Sequence, residues 1–290
     1  MSDLDLGFGH PPLPQVRAIV QRALDEDVTW GDATTDNSVP DDQRSRAILL
    51  AKAEGVVCGG RVFGEAFRLV DAAATVELLL PDGARIKRGD VVARVEGPTR
   101  ALLTAERTAL NFVQRLSGIA SMTAAYVARL DGLSTKLIDT RKTTPGLRVL
   151  EKYAVRVGGG HNHRFNLSDG VLLKDNHLAA LRQRGLDLAA AIRAVKQRVP
   201  HTMNVEVEIT ALEQIDPALA GGADIVLLDN MSNAEMREAV RRIKGRALTE
   251  CSGNVTLETV RERAETGVDL ISSGALTHSA KALDLSLELE

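Results

Sequence analysis

The stretch Asn204–Glu208 reads Asn-Val-Glu-Val-Glu, and it is the third of six short apolar runs in the C-terminal half of the chain. A helical pattern follows each run, which predicts parallel strands joined by crossover helices. Six such units are typical of an α/β barrel somewhat smaller than eight units, or of an open doubly wound sheet. The runs are Lys136–Asp139, Val171–Lys174, Asn204–Glu208, Ile225–Asp229, Ala247–Glu250 and Leu270–Ser273, and the helical patterns lie near 145–157, 187–199, 211–219, 233–244, 256–266 and 279–290.

The third run also indicates where its side chains point. Val205, Val207 and Ile209 alternate with Glu206 and Glu208, so period-two geometry puts the two glutamates on one face. Parallel strands are normally covered on both faces, so the aliphatic face would meet the outer helices and the glutamates would point into the barrel lumen. A buried unpaired charge is costly, so we expect cations or a metal beside them. The alternative is a strand with one solvent-facing side.

The first half of the chain has a different pattern. Pro11–Asp25 carries a helical apolar stripe, and Arg46–Val57 alternates like a strand. Residues 74–95 contain short apolar runs separated by turn signals, which is typical of a small β-sandwich. A long helical pattern then runs from Thr104 to Asp131. These patterns predict a separate, β-rich N-terminal domain.

Composition excludes several classes of function. The chain has 290 residues, 44% of them apolar and 26% charged, which is an ordinary globular mix and enough for two domains. A net charge of -3 and 3% aromatic residues argue against nucleic acid or an anionic membrane as partner. Cys58 and Cys251 make no disulfide framework and fit a reducing compartment. The start, Met1–His10, lacks signal-peptide features, and no apolar run approaches the roughly 20 residues of a membrane span. We therefore expect a cytoplasmic protein.

Nearly every run ends in polar residues. In parallel α/β folds the carboxyl ends of the strands form the active-site rim. One charged strand end is usually a solvated loop, but six in succession predict one shared site. The strand-end segments are Asp139-Thr-Arg-Lys142, Lys174-Asp-Asn-His177, Glu206 with Glu208, Asp229-Asn230, Glu250-Cys-Ser-Gly253 and Ser272-Ser-Gly274.

Positive charge is concentrated near two of these ends. From Lys136 to Arg164 there are seven Lys/Arg and two Asp/Glu, together with His161 and His163. Three of the basic residues lie one helical turn apart, which is also typical of a solvated helix face. The two histidines suggest a metal pair, but no third ligand has suitable spacing, so the pattern favours anion binding.

Two turns predict where a phosphate binds. Ser252-Gly253-Asn254 precedes a predicted helix near Thr256, and Ser273-Gly274-Ala275 precedes another near Ser279. Exposed backbone N–H groups at a helix start attract phosphate, and the last loops of such barrels commonly form a phosphate cradle.

Taken together, these segments resemble the quinolinate phosphoribosyltransferase family of type II phosphoribosyltransferases. The similarity runs from about Glu26 to the end of the chain, and the motifs arrive in family order. Cys251 departs from the small residue expected at that position, and its thiol is interpreted as inert packing. The matching stretches are Leu103–Asn111, Asp139–Arg148, Lys152–Arg156, Gly158–Arg164, Leu173–His177, Val205–Glu208, Leu228–Asn230 and Ser273–His278.

The resemblance implies a fold and a reaction. An N-terminal open-faced β-sandwich domain with helices would occupy residues 1–118, with part of the last helix returning to it, and an incomplete α/β barrel would occupy residues 119–290. Phosphoribosyl pyrophosphate and quinolinate, with Mg²⁺, would give nicotinate mononucleotide, pyrophosphate and CO₂ in de novo NAD biosynthesis. A homodimer or hexamer with its active site at the subunit interface is also implied.

The resemblance further implies roles for individual residues. Arg141, His163 and Arg164 would hold the quinolinate carboxylates, joined by Arg107 from a neighbouring subunit. The remaining assignments are Lys142 and Lys174 as catalytic groups that contact quinolinate or the phosphates, Thr140 as a substrate contact, Glu208 and Asp229 facing the ribose and the metal through waters, and Ser252, Gly253, Asn254, Ser273, Gly274 and Ala275 around the 5′-phosphate.

Three alternatives stay open. Nicotinate could be the acceptor without decarboxylation, although its single carboxylate would leave part of a four-cation pocket unpaired. A Schiff-base lyase would use Lys174 at its strand end, but the other cations would have no role there. A non-catalytic anion-binding protein is the third alternative.

Overall fold

The computed structural model describes residues 9–290. Residues 1–8, which are part of the stretch in which we expected no signal peptide, lie outside the described residues. The helices are α1 Leu13–Asp27, α2 Ala33–Ser38, α3 Gly60–Val70, α4 Thr99–Arg129, α5 Arg148–Val157, α6 Asp175–Arg182, α7 Leu188–Lys196, α8 Ile215–Gly221, α9 Asn233–Ile243, α10 Val260–Ala264 and α11 Ala275–His278. The strands are β1 Arg44–Ala51, β2 Gly55–Val56, β3 Thr75–Leu78, β4 Arg85–Ile86, β5 Val91–Pro98, β6 Lys136–Ile138, β7 Val171–Leu173, β8 Val205–Ile209, β9 Ile225–Asp229, β10 Leu248–Ser252, β11 Leu270–Ser272 and β12 Leu285–Leu289.

The chain forms two compact units. The first comprises the chain up to Ala124, Thr143–Gly159 and Leu276–Glu290, and the second comprises Ala125–Lys142 and Gly160–Ala275. The first unit therefore extends beyond residue 118, because it also includes 119–124, Thr143–Gly159 and Leu276–Glu290.

An antiparallel sheet organises the first unit. Its strand order is β12-β1-β5-β3, and β2 and β4 form a separate pair. Every second residue of β1, from Ala47 through Leu49 to Ala51, is buried, as expected for a strand with one face on the core. In α1 the buried residues Val16, Val20 and Leu24 lie one turn apart on a single stripe. The β-rich N-terminal region and its first helix are thus confirmed.

The end of the chain corrects one prediction. We expected a helix over residues 279–290, but α11 ends at His278 and the following segment forms β12, which pairs antiparallel with β1. The reason is visible in the sequence, because Leu283, Leu285, Leu287 and Leu289 recur at every second position. That period suits a strand and spreads the leucines around a helix.

Six parallel strands organise the second unit. Their order is β6-β11-β10-β9-β8-β7. The two edges of the sheet are therefore β6 and β7, which are the first and second of the six strands along the chain. Within residues 9–290, β6 and β7 are not paired with each other, and His161 instead makes a parallel bridge to Ile138 at the free edge of β6. The sheet is therefore the predicted incomplete α/β barrel.

The faces of β8 follow the predicted alternation. Val205, Val207 and Ile209 have no exposed surface, as expected for residues covered by the outer helices. Glu206 is also buried, and Glu208 is partly exposed. Because Glu206 is buried, its carboxyl group needs hydrogen-bond partners inside the barrel.

Within residues 9–290, no helix combines the length and the apolar character needed to cross a bilayer.

Gly118 in α4 is predicted to be essential for packing in the first unit. A Cβ atom placed there would lie 2.0 Å from the carbonyl oxygen of Lys281, whereas a Cβ on Gly64 in α3 would make ordinary contacts of at least 3.5 Å. Gly118→Ala should therefore lower the free energy of unfolding by about 1–3 kcal/mol. Gly64→Ala, the matched control, should be neutral or raise it by about 0.5–1 kcal/mol. Urea unfolding measures both, and equal effects would contradict the close approach.

Candidate active site

Strand register brings the polar strand ends to one edge of the barrel. Leu173 of β7 is level with Val207 of β8, so the next residues, Lys174 and Glu208, come side by side. The Lys174 Nζ atom lies 2.5 Å from a Glu208 carboxylate oxygen. On the neighbouring strands, Asp229 is level with Ser252. Lys174, Glu208, Asp229 and Ser252 thus share one rim, as predicted.

Two arginines follow β6 and the segment bridged to it in the second unit. Arg141 and Arg164 are both partly buried. Burial lowers the pKa of the Arg164 guanidinium, and the nearby charge of Arg141 lowers it further, while Glu206 opposes the shift. Two like charges in one region of the second unit account for the direction of this shift. Such a pair suits a bound anion, because each planar fork can hold two carboxylate oxygens.

The loop after β10 is locked to the end of β9. Gly253 has φ +98°, and a Cβ there would lie 2.2 Å from the Asn230 side-chain oxygen. The Asn230 backbone N–H donates to the Ser252 carbonyl at 3.1 Å, and its side-chain amide donates to Asp229 at 3.0 Å. Glycine is therefore required at the centre of Ser252-Gly253-Asn254, where it lets the turn approach Asp229 closely.

The helices after the two serine-glycine turns begin elsewhere than predicted. Thr256 and Thr259 form a hydrogen-bonded turn, so α10 starts at Val260 instead of near Thr256. The last turn runs directly into α11, which starts at Ala275 instead of Ser279. Ser273 is buried and its backbone N–H donates to Ile138 at 3.1 Å. Both turns lie at strand ends, but their proposed phosphate contacts stay predictions.

A buried cluster lies deeper in the same unit. The His163 Nε2 atom is 3.2 Å from a carboxylate oxygen of Glu206 and 3.9 Å from one of Glu250. Burial raises the pKa of Glu250 well above its ordinary value, and the nearby Glu206 raises it further. One buried oxygen of each glutamate has no hydrogen-bond partner within residues 9–290, and both glutamates line a cavity of about 510 Å³. Because close carboxylates cannot both stay charged without cost, this environment favours the protonated form of Glu250.

The cluster has the composition of a metal site, since the three possible ligand atoms lie within 4.8 Å of one another. The ring of His163 argues against one. Its Nδ1 atom accepts a hydrogen bond of 2.6 Å from the Arg164 backbone N–H, which leaves Nε2 as the donor that faces Glu206. A metal on Nε2 would need an imidazolate, whereas metal-bound histidines normally donate from the other nitrogen. We conclude that the cluster is a hydrogen-bonded network.

Glu208 and Asp229 are better suited to Mg²⁺. Both are partly exposed at the rim and offer carboxylate oxygens. Mg²⁺ prefers oxygen ligands and is usually held by one or two carboxylates together with substrate phosphates and waters. The donor set at the rim therefore fits this ion.

The other predicted site residues lie in two places. Thr140 and Lys142 are in the loop after β6, where the Thr140 hydroxyl accepts a hydrogen bond of 3.0 Å from the Lys142 backbone N–H. Arg107 lies on α4 in the first unit and lines a pocket of about 320 Å³ with Asn111 and Arg115. Its role in a neighbouring subunit stays a prediction.

Sequence reasoning gave no role to two buried acids. Asp139 has no exposed surface and accepts hydrogen bonds from the segment that contains His163. Glu250 lies inside β10 instead of at its end. A signal was available for Glu250, because a carboxylate between Thr249 and Cys251 inside an apolar run must find a partner.

Two family models together match most of the chain. The model described as "Quinolinate phosphoribosyl transferase, N-terminal domain" matches residues 32–117, and the one described as "Quinolinate phosphoribosyl transferase, C-terminal domain" matches residues 119–288.

Relatives agree with these matches. A protein of Bacillus subtilis named "Probable nicotinate-nucleotide pyrophosphorylase [carboxylating]" is 43% identical over 95% of this chain and 93% of its own length. A Mycobacterium leprae protein named "Nicotinate-nucleotide pyrophosphorylase [carboxylating]" is 43% identical over 94% of this chain and 96% of its own length.

Solved structures agree as well. NadC from Streptococcus pyogenes has a TM-score of 0.91 at 46% identity, covering 96% of this chain and 98% of its own. The nicotinate-nucleotide pyrophosphorylase from Francisella tularensis has a TM-score of 0.92 at 37% identity, covering 98% and 99%. With both of its domains matched and the strand-end residues at one rim, the chain belongs to the quinolinate phosphoribosyltransferase family.

Proposed function

We propose that this protein transfers phosphoribosyl from phosphoribosyl pyrophosphate to quinolinate with decarboxylation, giving nicotinate mononucleotide, pyrophosphate and CO₂ for NAD biosynthesis. The observation that carries the proposal is the meeting of a cation and carboxylates at one barrel rim, where Lys174 pairs with Glu208 and Asp229 ends the neighbouring strand. The names of the relatives, nicotinate-nucleotide pyrophosphorylase [carboxylating] and quinolinate phosphoribosyltransferase [decarboxylating], support it.

Quinolinate carries two carboxylates on adjacent ring carbons. Arg141 and Arg164 are proposed to bind them, with the partner's Arg107 completing the pocket. For His163 to join them, its Nε2–H must turn away from Glu206, which lies 3.2 Å from it. Guanidinium forks suit planar carboxylates because two parallel N–H···O bonds fix both position and orientation. Partial burial of Arg141 and Arg164 strengthens these bonds by excluding water.

Bond breaking at the ribose separates charge. The sugar becomes positive while the pyrophosphate leaves with its negative charge. Glu208 and Asp229 are placed to stabilise the sugar, and Lys142 and Lys174 to stabilise the leaving group. When bound at Glu208 and Asp229 through waters, Mg²⁺ would neutralise charge on the pyrophosphate. Substrate binding must loosen the Lys174–Glu208 ion pair, since both groups then face new partners.

Decarboxylation needs little from the protein. Once the pyridine nitrogen carries ribose it is cationic, and its charge stabilises the carbanion left at the adjacent ring carbon when the carboxylate departs as CO₂. A proton from water then takes the place of the carboxylate on that carbon. Arg141 and Arg164 hold that ring in place, so no side-chain nucleophile is needed. A Schiff-base role for Lys174 fits poorly, because its ammonium donates to Glu208 at 2.5 Å and offers no lone pair.

The buried cluster bears on charge balance. Quinolinate and phosphoribosyl pyrophosphate are both strongly anionic, so extra negative charge under the rim would oppose binding. A protonated Glu250 removes one such charge.

Assembly as a homodimer or hexamer, and location in the cytoplasm, remain predictions of the sequence.

Removal of either rim carboxylate should abolish most turnover. The native protein incubated with quinolinate, phosphoribosyl pyrophosphate and Mg²⁺ should release CO₂. Glu208→Gln and Asp229→Asn should each lower kcat by about 100-fold or more, since each removes charge that stabilises the transition state. Glu262→Gln, on the exposed face of α10, is the matched control. Undiminished turnover in both rim variants would contradict the mechanism, and binding without any turnover in the native protein would support a non-catalytic anion-binding protein.

Quinolinate should bind more tightly than nicotinate. Nicotinate lacks one carboxylate, so it leaves cations of the pocket unpaired and should bind about 10–100-fold more weakly. Isothermal titration calorimetry with the two acids compares them directly. A clear preference for nicotinate would reverse the choice of acceptor and favour transfer without decarboxylation.

Glu250→Gln should change how stability depends on pH. Because the folded-state pKa of Glu250 is raised, its contribution to stability is fully present below the unfolded pKa and is lost as pH rises through the folded pKa. The glutamine cannot ionise, so the variant should gain stability relative to the native protein between pH 5 and pH 8. Urea unfolding at several pH values measures this difference. A difference that stays constant with pH would show that Glu250 does not hold a proton.

A further inference from the structure

We propose that Asp139 is a positioning residue for the quinolinate pocket: its buried carboxylate fixes the segment 161–164, and thereby Arg164, at the open edge of the barrel. The inference rests on the proposed function, because it assigns Asp139 a role in binding of the acceptor acid. Asp139 itself is not proposed to touch substrate.

Asp139 directly follows β6 and has no exposed surface. One of its carboxylate oxygens accepts a hydrogen bond of 2.9 Å from the His163 backbone N–H. The other accepts one of 2.7 Å from the side-chain amide of Asn162. A carboxylate is an acceptor only, and here both of its oxygens bind donors of one short segment.

Backbone contacts extend the same attachment. The His161 N–H donates to the Leu137 carbonyl at 2.8 Å, and the Asp139 N–H donates to the His161 carbonyl at 3.1 Å. The segment therefore adds a short parallel strand to β6, at the edge where β7 is not paired. Two backbone bonds alone make a weak edge strand, so the Asp139 side chain supplies much of the attachment.

The attachment ends one residue before Arg164. The Arg164 N–H donates to the His163 ring at 2.6 Å, and its guanidinium donates to the Gly170 carbonyl at 2.8 Å. A shift of the His163 backbone therefore moves the base of the arginine whose fork must meet a planar carboxylate. Displacements near 1 Å in such a site cost about 100-fold in rate.

Exchanging the donor Asn162 and the acceptor Asp139 tests whether their hydrogen bond positions Arg164. Asp139→Asn replaces a charge-assisted hydrogen bond by a weaker one between two neutral amides, and Asn162→Asp sets two carboxylates against each other. Each single variant should raise KM for quinolinate about 10-fold or more, with KM for phosphoribosyl pyrophosphate changed less than about 2-fold. The double variant Asp139→Asn/Asn162→Asp again pairs a donor with an acceptor and should bring KM for quinolinate back to within about 3-fold of native.

A matched control separates position from general stability. Asp269 accepts hydrogen bonds of 2.8 Å and 2.7 Å from the N–H and hydroxyl of Thr249, so Asp269→Asn removes a hydrogen-bonded carboxylate charge elsewhere in the unit. It should lower the unfolding midpoint without the selective rise in KM for quinolinate. If a single variant does not fold, Asn162→Ala, which leaves Asp139 intact, should still raise KM for quinolinate selectively.

The outcomes distinguish the two proposals. A native protein that releases CO₂, with single variants that keep the native KM for quinolinate or lose affinity for both substrates equally, would overturn the role of Asp139 alone. Failure of the double variant to recover would also overturn it. A native protein without turnover would instead remove the proposed function and the inference with it.

Discussion

Charged side chains inside a parallel barrel must find partners, and this constraint organises the second unit. β8 turns Glu206 inward, where burial leaves it 3% exposed. His163 reaches it with an N–H donor at 3.2 Å. Glu208, one pleat nearer the rim, pairs with Lys174 instead. The lumen is thus stable only because cations and donors from neighbouring strand ends converge on its carboxylates, and the same convergence makes a site for an anionic substrate.

The open edge of the barrel is part of this arrangement. A closed barrel would present only strand ends at its rim, whereas the gap beside β6 admits the segment from His161 to Arg164. That segment brings one histidine into the lumen and one arginine toward the anion pocket. Since its backbone N–H groups donate to the Asp139 carboxylate and to the His163 ring, the geometry of the segment is held by donors that belong to the main chain.

The histidine shows why composition of a cluster does not decide its chemistry. His163, Glu206 and Glu250 have the residue types of a metal site and lie close enough to be one. A single backbone hydrogen bond to Nδ1 fixes the ring proton on Nε2 and makes the residue a donor. The rim carboxylates Glu208 and Asp229 differ from this cluster because they offer only oxygen ligands, which are the ligands that Mg²⁺ prefers.

Much of the fold and site could be predicted from the sequence. The alternation through Val205–Ile209, the six strand-then-helix units and the polar residues that end them follow from local periodicity, which needs no knowledge of distant contacts. The prediction of a C-terminal helix over 279–290 was wrong although the signal was local, since every second residue from Leu283 is leucine.

The sequence by itself determined which residues carry charge at strand ends and, through its motifs, the family. Only the tertiary structure decided which charges meet. The pairing of Lys174 with Glu208, the closeness of Glu250 to Glu206 and the attachment of Asn162 to Asp139 join residues between 23 and 44 positions apart. The physical reason is that desolvation and hydrogen-bond geometry depend on neighbours that strand register brings together, and period-two or helical patterns carry no information about those neighbours.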